Sequence, residues 1–127
     1  MVKILLIEDS RMIQMGIKSA LARAGYEVMV ANDGREGLAS AGQFLPDLIL
    51  LDMMLPNLSG TEVLSALKEQ SSTKSIPVFV LSGLSQQNGP KLLLAGATKY
   101  FEKSDSLFSH SFAPLVQAIH EFAAGSA

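Results

Sequence analysis

The chain has 127 residues, 48% of them hydrophobic and 17% charged, which suits one globular domain with a full core and argues against disorder. A formal net charge of -2 supplies no basic field to gather nucleic acid. The lack of cysteine excludes disulfides, thiolate metal sites and a cysteine nucleophile, and no uncharged run approaches the ~18 residues of a membrane span, so a cytoplasmic protein without membrane or nucleic-acid contact is expected.

In chain order, VKILLIE (2–8) reads as a buried strand that ends in the acidic pair Glu8-Asp9. Met12, Ile13, Ile17, Ala20, Leu21 and Ala24 then recur at intervals of three and four, predicting a helix near 10–24 with Asp9 or Ser10 as its cap and Gly25 as its stop. YEVMVAN (26–32) is a second strand, and Asp33-Gly34 turns the chain into a short second helix that ends about Gln43. PDLILLD (46–52) is a third strand whose apolar run goes straight into Asp52. Ser59 and Glu62 have capping-box spacing and open a third helix, TEVLSALKEQ.

IPVFVLS (76–82) is a fourth strand, after which LSQQNGP (84–90) is loop chemistry. Only KLLLAG remains for a short fourth helix, with Pro90 in its first turn. TKYFE (98–102) is a fifth strand. In FAPLVQAIHEFAA, Phe112, Leu115, Val116, Ile119 and Phe122 form the apolar side of a fifth helix, and Pro114 is tolerated because it falls in the first turn. Strands alternating with helices imply parallel βαβ units, in one domain over 1–123 with 124–127 as a disordered tail or severed linker.

Ligands of an open parallel sheet sit beyond the carboxyl ends of its strands, where strand order reverses. Those ends carry Glu8-Asp9, Asp52, Ser82 and, just past the fifth strand, Lys103. Three carboxylates close together repel one another, and a hard divalent cation with oxygen ligands, Mg²⁺ before Ca²⁺, is the simplest relief. Such a cluster with a hydroxyl donor and an ammonium suits phosphoryl transfer, with Asp52 as nucleophile.

The pair Glu8-Asp9, Asp52 in LLDMMLPNLSG, Ser82 in VLSG and Lys103 in KYFEK resemble the receiver domain of bacterial two-component response regulators over nearly the whole chain. The resemblance implies a flavodoxin-like, doubly wound five-stranded parallel sheet of order 2-1-3-4-5 with five helices. It further implies that Glu8, Asp9, Asp52 and the backbone carbonyl of Met54 hold Mg²⁺, and that Asp52 accepts a phosphoryl group from the phosphohistidine of a sensor kinase or phosphotransfer protein. Ser82 and Lys103 would bind the phosphoryl oxygens and Tyr100 would be the switch aromatic, remodelling an α4-β5-α5 face that meets a downstream target. Gly83 beside Ser82 is small, as access to the site requires, and LSQQNGP is the expected moving part.

Some positions depart from the family pattern. Ser104 stands where a cis proline usually follows the lysine, a bond that costs ~3 kcal/mol without proline, so strain or another route for Lys103 is expected. SDSLFSHS (104–111) is long, and Leu107 and Phe108 are expected to form an extra turn packed on the sheet. Met54 and Leu84 are apolar and cannot orient an attacking water. Met53 and Met54 read as packing residues, and His110 and His120 as surface residues. The competing readings are a phosphorylation-independent interaction module and an aspartyl-nucleophile phosphohydrolase, although the second usually has an Asp where Met54 stands.

Overall fold

The computed structural model describes residues 2–83, 89–103 and 109–125. Five parallel strands run in the order β2-β1-β3-β4-β5: β1 Lys3–Ile7, β2 Glu27–Ala31, β3 Leu48–Asp52, β4 Val78–Ser82 and β5 Lys99–Glu102. The helices between them are α1 Arg11–Arg23, α2 Gly34–Phe44, α3 Gly60–Glu69 and α4 Gly89–Leu94, and after β5 a 3₁₀ turn, Ser109–Phe112, leads into α5 Ala113–Gly125. The expected flavodoxin-like order is observed, and among the described residues the strands and helices number five each, as expected. The last helix reaches Gly125, two residues into the segment read as tail.

Period-two alternation sends neighbouring residues of the central strands into different layers. Leu5, Ile7, Ile49, Leu51, Val78 and Val80 meet Val63, Leu64 and Leu67 of α3, Ala41 of α2 and Leu92 of α4. The intervening Ile4, Leu6, Leu48, Leu50, Phe79 and Leu81 meet Ile17, Ala20 and Leu21 of α1 and Leu115 and Ile119 of α5. Because both faces are covered, β3 and β4 are buried at every position. The outer strands β2 and β5 are half exposed and carry Glu27 at one edge and Lys99 and Glu102 at the other.

The helix ends follow the sequence signals. Ser10 caps α1 by accepting from Ile13, Asp33 caps α2 by accepting from Glu36, and the reciprocal Ser59–Glu62 box opens α3. Gly25, at φ +93°, takes the left-handed step after α1. The apolar face of α1 is narrower than its periodicity suggests: Met12 is 83% exposed and Ala24 is also outside, because the sheet reaches only Ile17, Ala20 and Leu21 fully.

Leu107, Phe108 and Ser104 lie outside the described residues, as does most of LSQQNGP. The end of the long connection is visible in the 3₁₀ turn, where Phe112 packs in the α1–α5 layer although its φ is +62°. A Cβ on Gly16 would stand 2.6 Å from that ring, so glycine lets α1 and the turn approach.

Gly60 shows a similar constraint beside Asp52. Its N–H bonds Met53 O at 3.0 Å, and a Cβ would strike the Met53 Cα and stand 2.7 Å from Asp52 O. These are backbone atoms with nowhere to move. Gly60→Ala is therefore expected to destabilise by about 1–3 kcal/mol despite alanine's better helix propensity. A urea unfolding midpoint at or above that of the native chain would contradict this.

Candidate functional site

Strand order reverses between β1 and β3, since β1 leads to β2 on one side and pairs with β3 on the other. The crevice beyond their carboxyl ends is flanked by Glu8 and Asp9 after β1 and by Asp52 as the last residue of β3. Buried strands hold these backbones in register, with Ile7 opposite Leu51 and Asp52 opposite Leu81. Glu8 is 0% exposed, Asp52 1% and Ser82 3%, whereas Asp9 is exposed.

Lys103 closes the cluster. Its backbone N–H donates to Ser82 O at 2.7 Å, which fixes the residue just past β5 against the end of β4. Its Nζ then lies 2.9 Å from Glu8 Oε1 and 2.9 Å from Asp52 Oδ1, with the side chain only 16% exposed. The lysine thus reaches both carboxylates with serine as its successor. The remaining oxygen of Glu8 accepts from the N–H of Ser10 at 3.0 Å, and Asp52 Oδ1 also accepts from the N–H of Met54 at 3.3 Å.

The charges are unevenly matched. Glu8, Asp9 and Asp52 can each turn one oxygen toward a common point, these atoms lying within 4.8 Å of one another, while one ammonium faces two of them. Burial pushes the Glu8 carboxyl above its ordinary value, and repulsion from Asp52 adds to this, against the hydrogen bonds from Lys103 and Ser10. Burial alone would lower the Lys103 pKa, but hydrogen bonds to Asp52 and Glu8 and their charges outweigh it and raise it. The ammonium therefore stays charged. Three hard oxygen donors at this spacing form an acidic cluster that could hold a divalent cation.

Tyr100 is half-buried on β5 and packs against the layer of α2, α3 and α4. With Leu93, Thr98, Lys99, Phe101 and Ala118 it lines a cavity of about 340 Å³. Gly83 is exposed, and a Cβ there meets nothing within 4 Å among the described residues. Met53 is 6% exposed and packs as expected, but Met54 is 66% exposed and does not: the chain turns outward after β3, leaving only the Met54 backbone directed to Asp52. His120 is exposed, with Nδ1 3.4 Å from the Tyr26 hydroxyl, and the His110 side chain falls outside the described part.

Sequence reasoning missed the polar residues along the rim. Gln14 donates to the Glu8 carbonyl and, at 2.8 Å, to Asn32 Oδ1, and Asn57 donates to Asp33 Oδ2 at 3.3 Å. The available signals were weak: a glutamine one turn into α1 and a Pro-Asn pair after β3.

The family model for the response regulator receiver domain matches residues 4–108. The chain belongs to the response regulator receiver family. RpaA of Synechocystis sp., a DNA-binding dual master transcriptional regulator, is 40% identical over 104 residues, covering 81% of this chain and 43% of that protein. The chain spans about 34–43% of the length of the first curated relatives it matches. The Francisella response regulator 1452 receiver domain superposes with a TM-score of 0.89 at 29% identity and covers 100% of both chains. Response regulator Rcp1, in its Mn²⁺-bound form, superposes at 0.80 with 29% identity, covering 96% of this chain and 94% of that one. A receiver is a phosphorylation-activated switch of two-component signalling, and no helix among the described residues is long and apolar enough to cross a membrane.

Removing Lys103 would leave the Glu8 and Asp52 carboxylates buried and facing each other. Lys103→Met is expected to cost about 3 kcal/mol at pH 7 in urea unfolding. With Glu8 already raised, the native variant binds a proton at a pH where the unfolded chain has lost it. Its stability should therefore rise as pH falls from 7 toward the ordinary carboxylate range, so the deficit shrinks. A deficit that widens on mild acidification would refute this account.

Proposed function

We propose that Asp52 is the phosphoacceptor of this receiver, that Glu8, Asp9, Asp52 and the Met54 carbonyl hold Mg²⁺, and that Ser82 and Lys103 receive the phosphoryl oxygens. The observation that carries the reading is the Lys103 bridge from Glu8 to Asp52 inside a cluster of three carboxylates. A cation-bridged aspartate at the rigid end of a buried strand is fixed in place for in-line attack. The Mn²⁺-bound form of Rcp1 supports a divalent ion in a site on the same fold. When bound, Mg²⁺ would neutralise charge on the transferring phosphoryl oxygens.

The donor is a phosphohistidine on a sensor kinase or phosphotransfer protein. An Asp52 oxygen attacks phosphorus, the N–P bond breaks as the O–P bond forms, and the imidazole leaves to take up a proton from solvent. Lys103 is in contact with Asp52 before transfer and can turn its ammonium onto the added oxygens, while the near-buried Ser82 supplies a hydroxyl from β4. Release of the Lys103–Asp52 contact and engagement of Ser82 favour a second conformer, with Tyr100 turned further inward beside the cavity between α4 and α5. The downstream target reads that α4-β5-α5 face in the cytoplasm, without direct nucleic-acid contact by this domain.

Intact mass after incubation with Mg²⁺ and acetyl phosphate tests the chemistry. The native chain should gain one phosphoryl group, and neither Asp52→Asn nor the native chain in excess chelator should gain any. A gain retained by Asp52→Asn would place the acceptor elsewhere. The phosphorylated form should also persist for minutes or longer once donor is removed, because the exposed Met54 thioether offers no group to orient water onto the acyl phosphate. Loss of the added mass within seconds would overturn that second point.

A further inference from the structure

We propose that Gln14 and Asn57 are positioning residues for the metal-holding edge of the site, joined by a hydrogen-bonded rim through Asn32, Glu36 and Asp33. The proposal rests on the reading of Glu8, Asp9, Asp52 and the Met54 carbonyl as the metal site.

That site draws on two loops. One carries Asp9 after β1 and the other carries Met54 after β3, each one residue beyond a backbone bond to the neighbouring strand, Glu8 N–H to Ala31 O and Met53 N–H to Leu81 O. Gln14 reaches the first loop from α1. Its Nε2 donates to the Glu8 carbonyl and to Asn32 Oδ1 at 2.8 Å, so both of its amide hydrogens are committed. The Glu8 N–H donates to Ala31 O at 3.0 Å, so both sides of the Glu8 backbone are fixed and with them the peptide plane that leads into Asp9.

From Asn32 the rim continues across the β2–α2 turn. Asn32 Nδ2 lies 3.5 Å from each Glu36 carboxylate oxygen, and the Glu36 N–H donates to Asp33 Oδ1 at 2.8 Å. The other Asp33 oxygen accepts from Asn57 Nδ2 at 3.3 Å. Asn57 lies three residues after Met54 in the second loop, at φ +71°. The β2–α2 turn carries no proposed ligand, yet it connects the two loops that do.

Most of these contacts are exposed and add little to stability, so what the rim supplies is geometry. Partners of this kind orient the groups that touch a metal, and their loss lowers metal affinity more than it lowers fold stability.

The test is calorimetric titration of the chain with Mg²⁺ alone, comparing the native sequence with Gln14→Met, Asn57→Gly and the control Gln117→Met. Gln117 makes a similar exposed amide contact, to Glu121 at 3.0 Å on α5, remote from the rim in sequence. Gln14→Met should weaken Mg²⁺ binding about tenfold, Asn57→Gly should weaken it in the same direction, and Gln117→Met should match the native chain. In the acetyl phosphate reaction, the Mg²⁺ concentration for half-maximal rate should rise by the same factor, while the rate at saturating Mg²⁺ stays within about twofold.

A lowered unfolding midpoint with unchanged Mg²⁺ affinity in Gln14→Met and Asn57→Gly would make the rim purely structural and overturn the proposal. Should Gln14→Met fail to fold, Asn57→Gly decides, since glycine accepts the positive φ at that position. A native chain that binds no Mg²⁺ would overturn both the metal reading and the rim, whereas native binding with unchanged variants would overturn the rim alone.

Discussion

The site depends on one lysine holding two buried carboxylates that would otherwise repel each other. Lys103 stands 2.9 Å from both Glu8 and Asp52, and everything around it serves to make that contact possible. The strand order puts the ends of β1, β3 and β4 side by side, and the bond from the Lys103 N–H to Ser82 O brings the end of β5 in beside them. Desolvating two carboxylates costs more than a single ammonium readily returns, which is why Glu8 holds its proton more tightly than an exposed glutamate. The resting cluster is consequently short of positive charge. Any positive or negative charge added at that crevice would change the balance that the Lys103 ammonium meets, so local charge and the position of one side chain are linked.

Two fully covered layers make that imbalance tolerable. Strands buried on both faces cannot slip register without exposing their apolar residues, so the backbones that present Glu8, Asp52 and Ser82 stay in place against electrostatic repulsion. The close approaches at Gly16 and Gly60 do similar work around the sheet, one bringing the Phe112 ring onto α1 and the other drawing the start of α3 against the end of β3. Stability is thus concentrated under the crevice, with Asp52 and Ser82 on the strand ends themselves and Glu8, Asp9 and Lys103 just beyond them.

Much of this was legible in the sequence because apolar strands that end abruptly in polar residues are a simple pattern. Glu8, Asp52 and Ser82 each follow such a run, and the structure places them together with Asp9 and Lys103. Strand limits differed by one or two residues, as at Leu48 against the expected start at 46, since pairing rather than hydrophobicity decides where a strand begins. Met12 and Met54 were misplaced because a hydrophobic side chain at the right interval is not thereby covered: the sheet does not extend under the first turn of α1, and the chain turns outward after Asp52. The rim of Gln14, Asn32 and Asn57 was illegible for a different reason. Its members come from α1, the β2–α2 turn and the loop after β3, far apart in sequence, and no local periodicity encodes which amide meets which oxygen.

The two outermost strands have a consequence for how the molecule meets its own copies. A sheet with open edges invites pairing with another sheet, and a chain as apolar as this one would be prone to such growth. Here β2 opens with the exposed Glu27, and the four-residue β5 has exposed charges at both ends, Lys99 and Glu102. Short, charged edges oppose strand-to-strand aggregation. Replacing these residues with apolar ones would leave the crevice intact while removing the barrier that keeps one sheet from extending into the next.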